Sequence, residues 1–221
     1  LTIETQLTEH LRHHRKVSKG SARQSALELL DTVKIPDPAS ALKAHAGQFS
    51  GGMRQRIAIA MALACDPKLL IADEPTTALD VTVQAGILKL LRQLRSERDL
   101  SIMIITHDLG VLSSLTDRIM IMYAGSEAES GTAPDLLLHP RHPYTQGLIS
   151  ALPGVARQGK VLTTIGGSPP ELGNFPTGCA FHERCSYAQT SCSLEVPSVL
   201  QVSDNHRMFC PINPLAEKSV K

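Results

Sequence analysis

Two neighbouring acidic residues directly follow a short apolar segment in the middle of the chain. Residues 69–72 are uninterrupted apolar sequence, and Asp73 and Glu74 come next. Such a segment is typical of a buried parallel strand, and open α/β sheets bind ligands beyond the carboxyl ends of their strands. One acid at that place can hold Mg²⁺, and a second can orient or deprotonate an attacking water. Taken alone, the pattern fits a strand followed by a polar turn equally well.

A glycine-rich segment upstream of these acids has the residue types of a phosphate-binding helix start. Ser50 is a favourable N-cap, and Gly51 and Gly52 let backbone N–H groups approach a ligand closely. The helix N-terminus that begins around Met53 favours a phosphate. By itself this motif also fits an ordinary capped helix with a glycine-rich start.

Two further polar residues are expected at the same edge of the sheet. Asp80 ends the segment TTALD shortly after the acid pair, and His107 follows the apolar run 102–105. A histidine at the carboxyl end of a strand can contact a terminal phosphate in the same crevice. Considered singly, His107 fits a structural histidine better than a catalytic one.

Strands and helices alternate around these residues. The apolar runs 69–72, 102–105 and 119–123 each have the length of a buried strand, and a stripe at helical spacing from Val83 to Leu94 separates the first two. Strands separated by helices of this length predict βαβ units and a parallel sheet with covered faces. The expected fold class is therefore α/β.

The chain is expected to have three zones. Residues 1–49 carry apolar side chains at helical spacing, residues 50–140 hold the sheet, and residues 141–221 are rich in Pro, Gly and Ser and predict an irregular appendage. We expect no nucleic-acid partner, because 22 basic residues nearly balance 21 acidic ones. No apolar run approaches the ~18 residues that cross a bilayer.

Four of the five cysteines lie within 32 residues near the end of the chain. The first residues do not resemble a secretory leader, so we expect reduced thiols and a metal or iron–sulfur site. The spacings of five, six and seventeen residues do not name the metal. His206 is a possible substitute ligand, and four reduced thiols in a loop are the alternative. The predicted ligands are Cys179, Cys185, Cys192 and Cys210.

In combination, the order of the motifs is specific. It resembles the C-terminal half of an ABC transporter ATP-binding subunit, which is a P-loop NTPase. In that resemblance FSGGM is the signature, LLIADE is Walker B, TALD is the D-loop and His107 is the switch histidine. Residues 1–49 then correspond to the helical subdomain of such a subunit.

A narrower resemblance covers nearly the whole chain. FSGGMRQR, ITHDLGVL, HPRHPYTQGL and the tail FPTGCAFHERC are similar to the dipeptide/oligopeptide importer branch, whose members include nickel and glutathione systems. The resemblance implies ATP hydrolysis with Mg²⁺, coupled to peptide import at the cytoplasmic face of the cell membrane. It implies a second ATPase subunit, two permease subunits and a solute-binding protein as partners. It also implies a [4Fe–4S] cluster on the four cysteines.

The same resemblance implies a role for each motif residue. Glu74 would polarise the attacking water, and His107 would contact the γ-phosphate. Asp73 would hold the Mg²⁺ shell, the signature would cover nucleotide on the opposite subunit, and Asp80 would couple the two sites. The implied nucleotide-binding residues are Ser50, Gly51, Gly52, Met53, Asp73 and Asp80.

The sequence departs from this family in one important respect. It contains no G-x-x-x-x-G-K-[ST] string, whose amides and lysine cradle the phosphates. Together with a first residue that is not Met, this predicts an ATPase core truncated at its N-terminus. We expect such a chain to expose sheet faces and to aggregate. The alternative function is a non-hydrolytic metal-binding or interaction remnant that only lends its signature to a partner ATPase.

Overall fold

A computed structural model describes residues 1–152, 164–171, 173–210 and 212–214. The chain folds as two units, Leu1–Val111 and Leu112–Lys221. The sequence-based boundaries at residues 49/50 and 140/141 describe motifs rather than folding units and remain predictions. The end of the expected third zone, residues 215–221, lies outside the described residues.

The first unit opens with a bundle of capped helices. Thr2, Ser18 and Asp37 cap the first three helices, and each side chain accepts a hydrogen bond from a backbone N–H three residues on. The apolar residues at helical spacing turn inward, so that Leu7, Leu11 and Leu30 are almost fully buried. The helices are α1 (Ile3–Arg15), α2 (Lys19–Thr32), α3 (Pro38–Lys43) and, after a short 3₁₀ turn, α4 (Gly51–Leu63).

A βαβ unit completes the first unit, as the apolar runs predict. Strands β1 (Leu69–Asp73) and β2 (Ser101–Ile105) pair in parallel, and α5 (Val81–Glu97) connects them. The helix α6 (Leu109–Leu115) begins shortly after β2. The register pairs Asp73 with Ile105, so the two strands end at the same edge of the sheet. This shared edge brings the residues that follow β1 close to those that follow β2.

The prediction of a sheet with both faces covered is wrong for this chain. Leu70 is buried, whereas Ile71 is 58% exposed and Met103 51% exposed. Leu69 and Ile105, which point to the same face as Ile71 and Met103, are about half exposed as well. Within the first unit, no described element covers that face.

The second unit contains an antiparallel sheet, and this corrects the prediction for residues 119–123. They lie in β3, which pairs with β4 in a hairpin instead of extending the parallel sheet. The turn residues Ala124 and Gly125 both have positive φ, which is the geometry of a two-residue hairpin turn. The strand order is β3-β4-β6-β5. The elements are β3 (Arg118–Tyr123), β4 (Ser126–Thr132), α7 (Ala133–Leu138), α8 (Pro143–Ser150), β5 (Leu200–Ser203) and β6 (His206–Met208).

A fully buried carboxylate connects three segments of this second unit. Glu129 on β4 accepts hydrogen bonds from the backbone N–H groups of Arg141 (2.7 Å) and His142 (3.0 Å). Its Oε1 also lies 2.6 Å from Nε2 of His206 on β6, a ring that is 4% exposed. Residues 200–208, which were expected to be irregular, therefore form strands that Glu129 holds against β4.

We predict that Glu129→Ala lowers the free energy of unfolding by about 3–5 kcal/mol, because it leaves His206 and two backbone donors buried without an acceptor. Urea denaturation followed by circular dichroism measures this difference. Glu127→Ala is the matched control on the same strand. Glu127 is 15% exposed, its partner Arg207 is 48% exposed, and Glu127 also accepts a hydrogen bond from the Ser130 hydroxyl, so its loss is expected to cost less, about 1–2 kcal/mol. Equal losses for the two variants would contradict this interpretation.

Candidate functional site

The two predicted catalytic residues contact each other at the carboxyl edge of the parallel sheet. Glu74 follows β1 and donates its backbone N–H to the carbonyl oxygen of Ile105, the last residue of β2, at 2.9 Å. One carboxylate oxygen of Glu74 lies 2.8 Å from Nδ1 of His107. The other accepts a hydrogen bond from the Thr77 hydroxyl at 2.8 Å. The structure thus brings Glu74 and His107 together and fixes the carboxylate from both sides.

The charge of Glu74 follows from these contacts. The Thr77 hydroxyl, and after it the His107 ring, lower the pKa of the Glu74 carboxyl, so it is ionised at neutral pH. The backbone of Glu74 has a φ of 46°, in the left-handed region that residues with a side chain adopt uncommonly. His107 is 82% exposed and Glu74 37% exposed, so solvent molecules reach the pair.

Asp73 ends β1 beside this pair and is exposed. Carboxylate oxygens are the ligands that Mg²⁺ prefers in proteins, so the donor chemistry of Asp73 and Glu74 fits this ion.

Helix packing requires a glycine at position 52 of the signature. Ser50 caps α4 by accepting a hydrogen bond from the backbone N–H of Met53. A Cβ added to Gly52 would lie 2.3 Å from Cγ1 of Val83, and one on Gly51 would lie 3.2 Å from Cδ2 of Leu79. The start of α4 therefore touches the start of α5. Only a residue without a side chain fits at position 52.

Asp80 lies at this junction as the N-cap of α5. Its carboxylate accepts a hydrogen bond from the backbone N–H of Val83 at 2.9 Å. The same Val83 packs on Gly52, so the D-loop residue and the signature are joined through one side chain.

The sequence motifs did not predict a role for two residues of the site. Thr77 holds the Glu74 carboxylate, and Gln84 on α5 donates a hydrogen bond to the Asp108 carboxylate at 3.2 Å. Asp108 in turn accepts from the backbone N–H of Gly110, which fixes the turn that follows His107. The signal for Thr77 was its position three residues after an acid, within reach across a turn. The contact of Gln84 depends on tertiary packing.

The four predicted metal ligands line one pocket of the second unit. Its volume is about 170 Å³, and its wall also includes His142, His182 and Phe181. The backbone N–H of Cys179 donates to the carbonyl oxygen of Cys192 at 2.8 Å. The pocket residues discussed from the sequence are Cys179, Cys185, Cys192 and Cys210.

The arrangement of these thiols does not support the expected iron–sulfur cluster. Over the described ranges, no group of three or more His, Cys, Asp or Glu side chains is placed to hold a metal ion. Burial raises the pKa of the Cys179 and Cys185 thiols, and it raises that of Cys210 to about 11. A metal bound here would have to displace their protons, because the thiolate form coordinates a metal. His206, the possible substitute ligand, is instead held by Glu129.

The fold and the site are similar to those of the ATP-binding cassettes of ABC transporters. Residues 2–77 match the family model described as ABC transporter. A structure of the ATP-binding cassette MJ0796, a dimer bound to ADP and Pi, is 30% identical with a TM-score of 0.53, covering 60% of this chain and 57% of that one. A second structure, titled as a bacterial ABC transporter cassette, matches with the same values.

Sequence relatives place the chain more narrowly within that class. Residues 128–192 match the model described as oligopeptide/dipeptide transporter, C-terminal region. The dipeptide transport ATP-binding protein DppD of Bacillus subtilis is 50% identical over 95% of this chain, and the oligopeptide transport ATP-binding protein OppD of the same organism is 50% identical over 93%. The chain is similar to the ATP-binding proteins of ABC transporters, in the dipeptide/oligopeptide branch. It spans 63% of the length of DppD and 58% of that of OppD.

None of the helices in the described part of the chain is long and apolar enough to cross a membrane.

We predict that Gly52→Ala lowers the free energy of unfolding by about 1–3 kcal/mol, because its methyl group overlaps the Val83 side chain. Val83→Ala in the same chain should recover most of this loss, which a double-mutant cycle from urea denaturation measures.

Gly47→Ala is the matched control for this cycle, because a Cβ at position 47 has no neighbour within 4 Å. Additive effects of Gly52→Ala and Val83→Ala would show that the two helix starts do not touch.

Proposed function

We propose that the chain is the signature-bearing part of a subunit that hydrolyses ATP with Mg²⁺ and thereby drives import of dipeptides or oligopeptides. The observation that carries this proposal is the Glu74 carboxylate, held between Thr77 and His107 at the carboxyl end of a parallel strand. The relatives named for dipeptide and oligopeptide transport support the class of solute.

The geometry of Glu74 suits it to activate the attacking water. Its carboxylate is ionised, and each oxygen has a lone pair left after its contact with Thr77 or His107. A water bound there would donate a proton toward Glu74 and so become a better nucleophile. His107, already adjacent, would stabilise charge that develops on the terminal phosphate. Asp73 would hold Mg²⁺, which supplies charge neutralisation for the phosphates when bound.

The signature is proposed to act on a second subunit. Ser50 is exposed, and the neighbouring glycines and Met53 form the first turn of α4 beside Asp80. These residues would cover the γ-phosphate of nucleotide bound to the partner ATPase, and Asp80 would link the two sites. The dimeric state of the similar cassette supports this pairing. Two permease subunits and a solute-binding protein would complete the importer at the cytoplasmic face of the cell membrane.

We predict no steady-state ATP hydrolysis by the 221-residue chain alone, since its sequence contains no phosphate loop. Fused to a segment of Bacillus subtilis DppD that carries such a loop, it should hydrolyse ATP. Glu74→Gln in that fusion is expected to lower kcat by about a hundredfold or more, because the proton acceptor is lost. Release of inorganic phosphate measures both results.

Glu97→Gln is the control, because this exposed glutamate on α5 lies away from the sheet edge and accepts a hydrogen bond from Gln93 of the same helix. Equal kcat values for the unchanged and Glu74→Gln fusions would contradict the catalytic assignment. A different result would be that the chain accelerates ATP hydrolysis by a separate ATP-binding subunit, with Ser50→Arg abolishing this effect and Glu74→Gln leaving it unchanged. That result would replace the proposal with the alternative, a remnant that only lends its signature to a partner ATPase.

We also propose that the four cysteines form a metal site, with a [4Fe–4S] cluster as the specific candidate. The supporting observation is that all four side chains line one pocket. Because the arrangement described above is not a ligand set, metal binding would require the thiols to approach one another and lose their protons. No step of the proposed hydrolysis depends on this site.

We predict that protein purified without oxygen contains iron and acid-labile sulfide in equal amounts, and that Cys192→Ser removes both. Elemental analysis and a sulfide assay measure them. Cys65→Ser is the matched control, because Cys65 lies in the first unit. Zinc without sulfide would reject the cluster. Protein that contains neither iron nor zinc would reject a metal site on these cysteines.

A further inference from the structure

Three histidines cluster in the last two turns of α1, outside the site described above. His10, His13 and His14 are all exposed. None of them belongs to the signature, Walker B, D-loop or switch-histidine motifs. Imidazole is the commonest protein ligand for transition metals, so three of these rings on one short segment suggest a metal site.

The positions of His10 and His14 suit a chelate. Residues four apart lie one above the other on a helix face, which is the spacing at which two histidines bind one zinc ion in helical HExxH motifs. The ring centroids of His10 and His14 are 4.7 Å apart in an edge-to-face arrangement. Both side chains are exposed, so their rings can turn to aim one nitrogen each at a shared ion without disturbing the buried face of the helix.

His13 has a different relation to the pair. Its ring lies 4.8 Å from that of His14, but successive residues point about 100° apart around a helix. In the described part of the chain no three such side chains are placed to hold a metal. The geometry therefore favours a two-histidine site completed by water rather than a three-histidine site.

The local charge has opposing contributions. Arg12, Arg15 and Lys16 are close in sequence and oppose a cation. Arg15 is partly neutralised, because its guanidinium forms an ion pair with Asp66. His10 and His14 also lie in the C-terminal turns of α1, where the partial negative charge of the helix dipole favours a cation.

We propose that His10 and His14 form a binding site for a divalent transition-metal ion, with Cu²⁺ bound more tightly than Ni²⁺ or Zn²⁺. The order follows the general affinity series for imidazole sites. His10 and His14 would each bind the ion through one ring nitrogen of a neutral imidazole, with water in the other coordination positions. Because the ion bridges two successive turns, it holds the end of α1 in helical form.

Hydrogen–deuterium exchange of the whole chain with Ni²⁺ as the probe tests this site. At a Ni²⁺ concentration ten times the Kd, exchange in peptides covering the last turns of α1 should slow about tenfold. His10→Ala and His14→Ala should each abolish this protection, because one imidazole lacks the effective concentration that a second one supplies. Exchange also separates this site from the thiols, which lie in other peptides.

His13→Ala is the matched variant, and it should keep the Ni²⁺ protection. Unchanged exchange in the unaltered chain, or protection that survives in both His10→Ala and His14→Ala, would overturn the proposal. Loss of protection in His13→Ala would overturn the two-histidine form of the site.

Discussion

The site depends on the way the chain turns as it leaves β1. Glu74 takes up a left-handed backbone conformation and donates its N–H to the last residue of β2. This contact joins the ends of the two strands, and it also directs the carboxylate toward Thr77 and His107. The hydrogen bond between strands and the geometry of the predicted catalytic pair therefore have one cause. A residue that could not adopt this backbone conformation would shift the carboxylate as well as the sheet edge.

A second junction, between the starts of α4 and α5, makes the signature and the D-loop parts of one structure. The contact of Gly52 with Val83 is too close for any side chain at position 52, and Asp80 caps the helix that carries Val83. Movement of α5 would therefore shift the first turn of α4, next to the exposed Ser50. In the proposed dimer, this is where one subunit would respond to nucleotide held by the other. The glycines were expected from sequence to admit a ligand, but the described contact that requires them lies within the chain.

The sequence was a good guide wherever function depends on order along the chain, and a poor one where it depends on distant contacts. The strands ending at Asp73 and before His107, and the helix start at Ser50, follow from local apolar runs and caps. The strand at 119–123 has the same apolar character as those of the parallel sheet. Its partner was decided by the two-residue turn at Ala124 and Gly125, whose sequence gives a weak signal. Periodicity also does not reveal which face of a two-stranded sheet is left uncovered.

Glu129 shows most clearly why the rest could not be predicted. It lies in a strand among polar residues, and nothing nearby in sequence marks it as fully buried, because its partner His206 is 77 positions away. Its contact with His142 matters for the cysteine pocket, since His142 forms part of that wall. Burial lowers the pKa of His142 to about 4, so its ring is neutral at neutral pH. A metal bound by the four thiols would therefore bring its charge into a region whose shape is held by a buried carboxylate. In the proposed metal site, closure of the thiols around an ion would act on the wall that Glu129 anchors through the backbone N–H of His142.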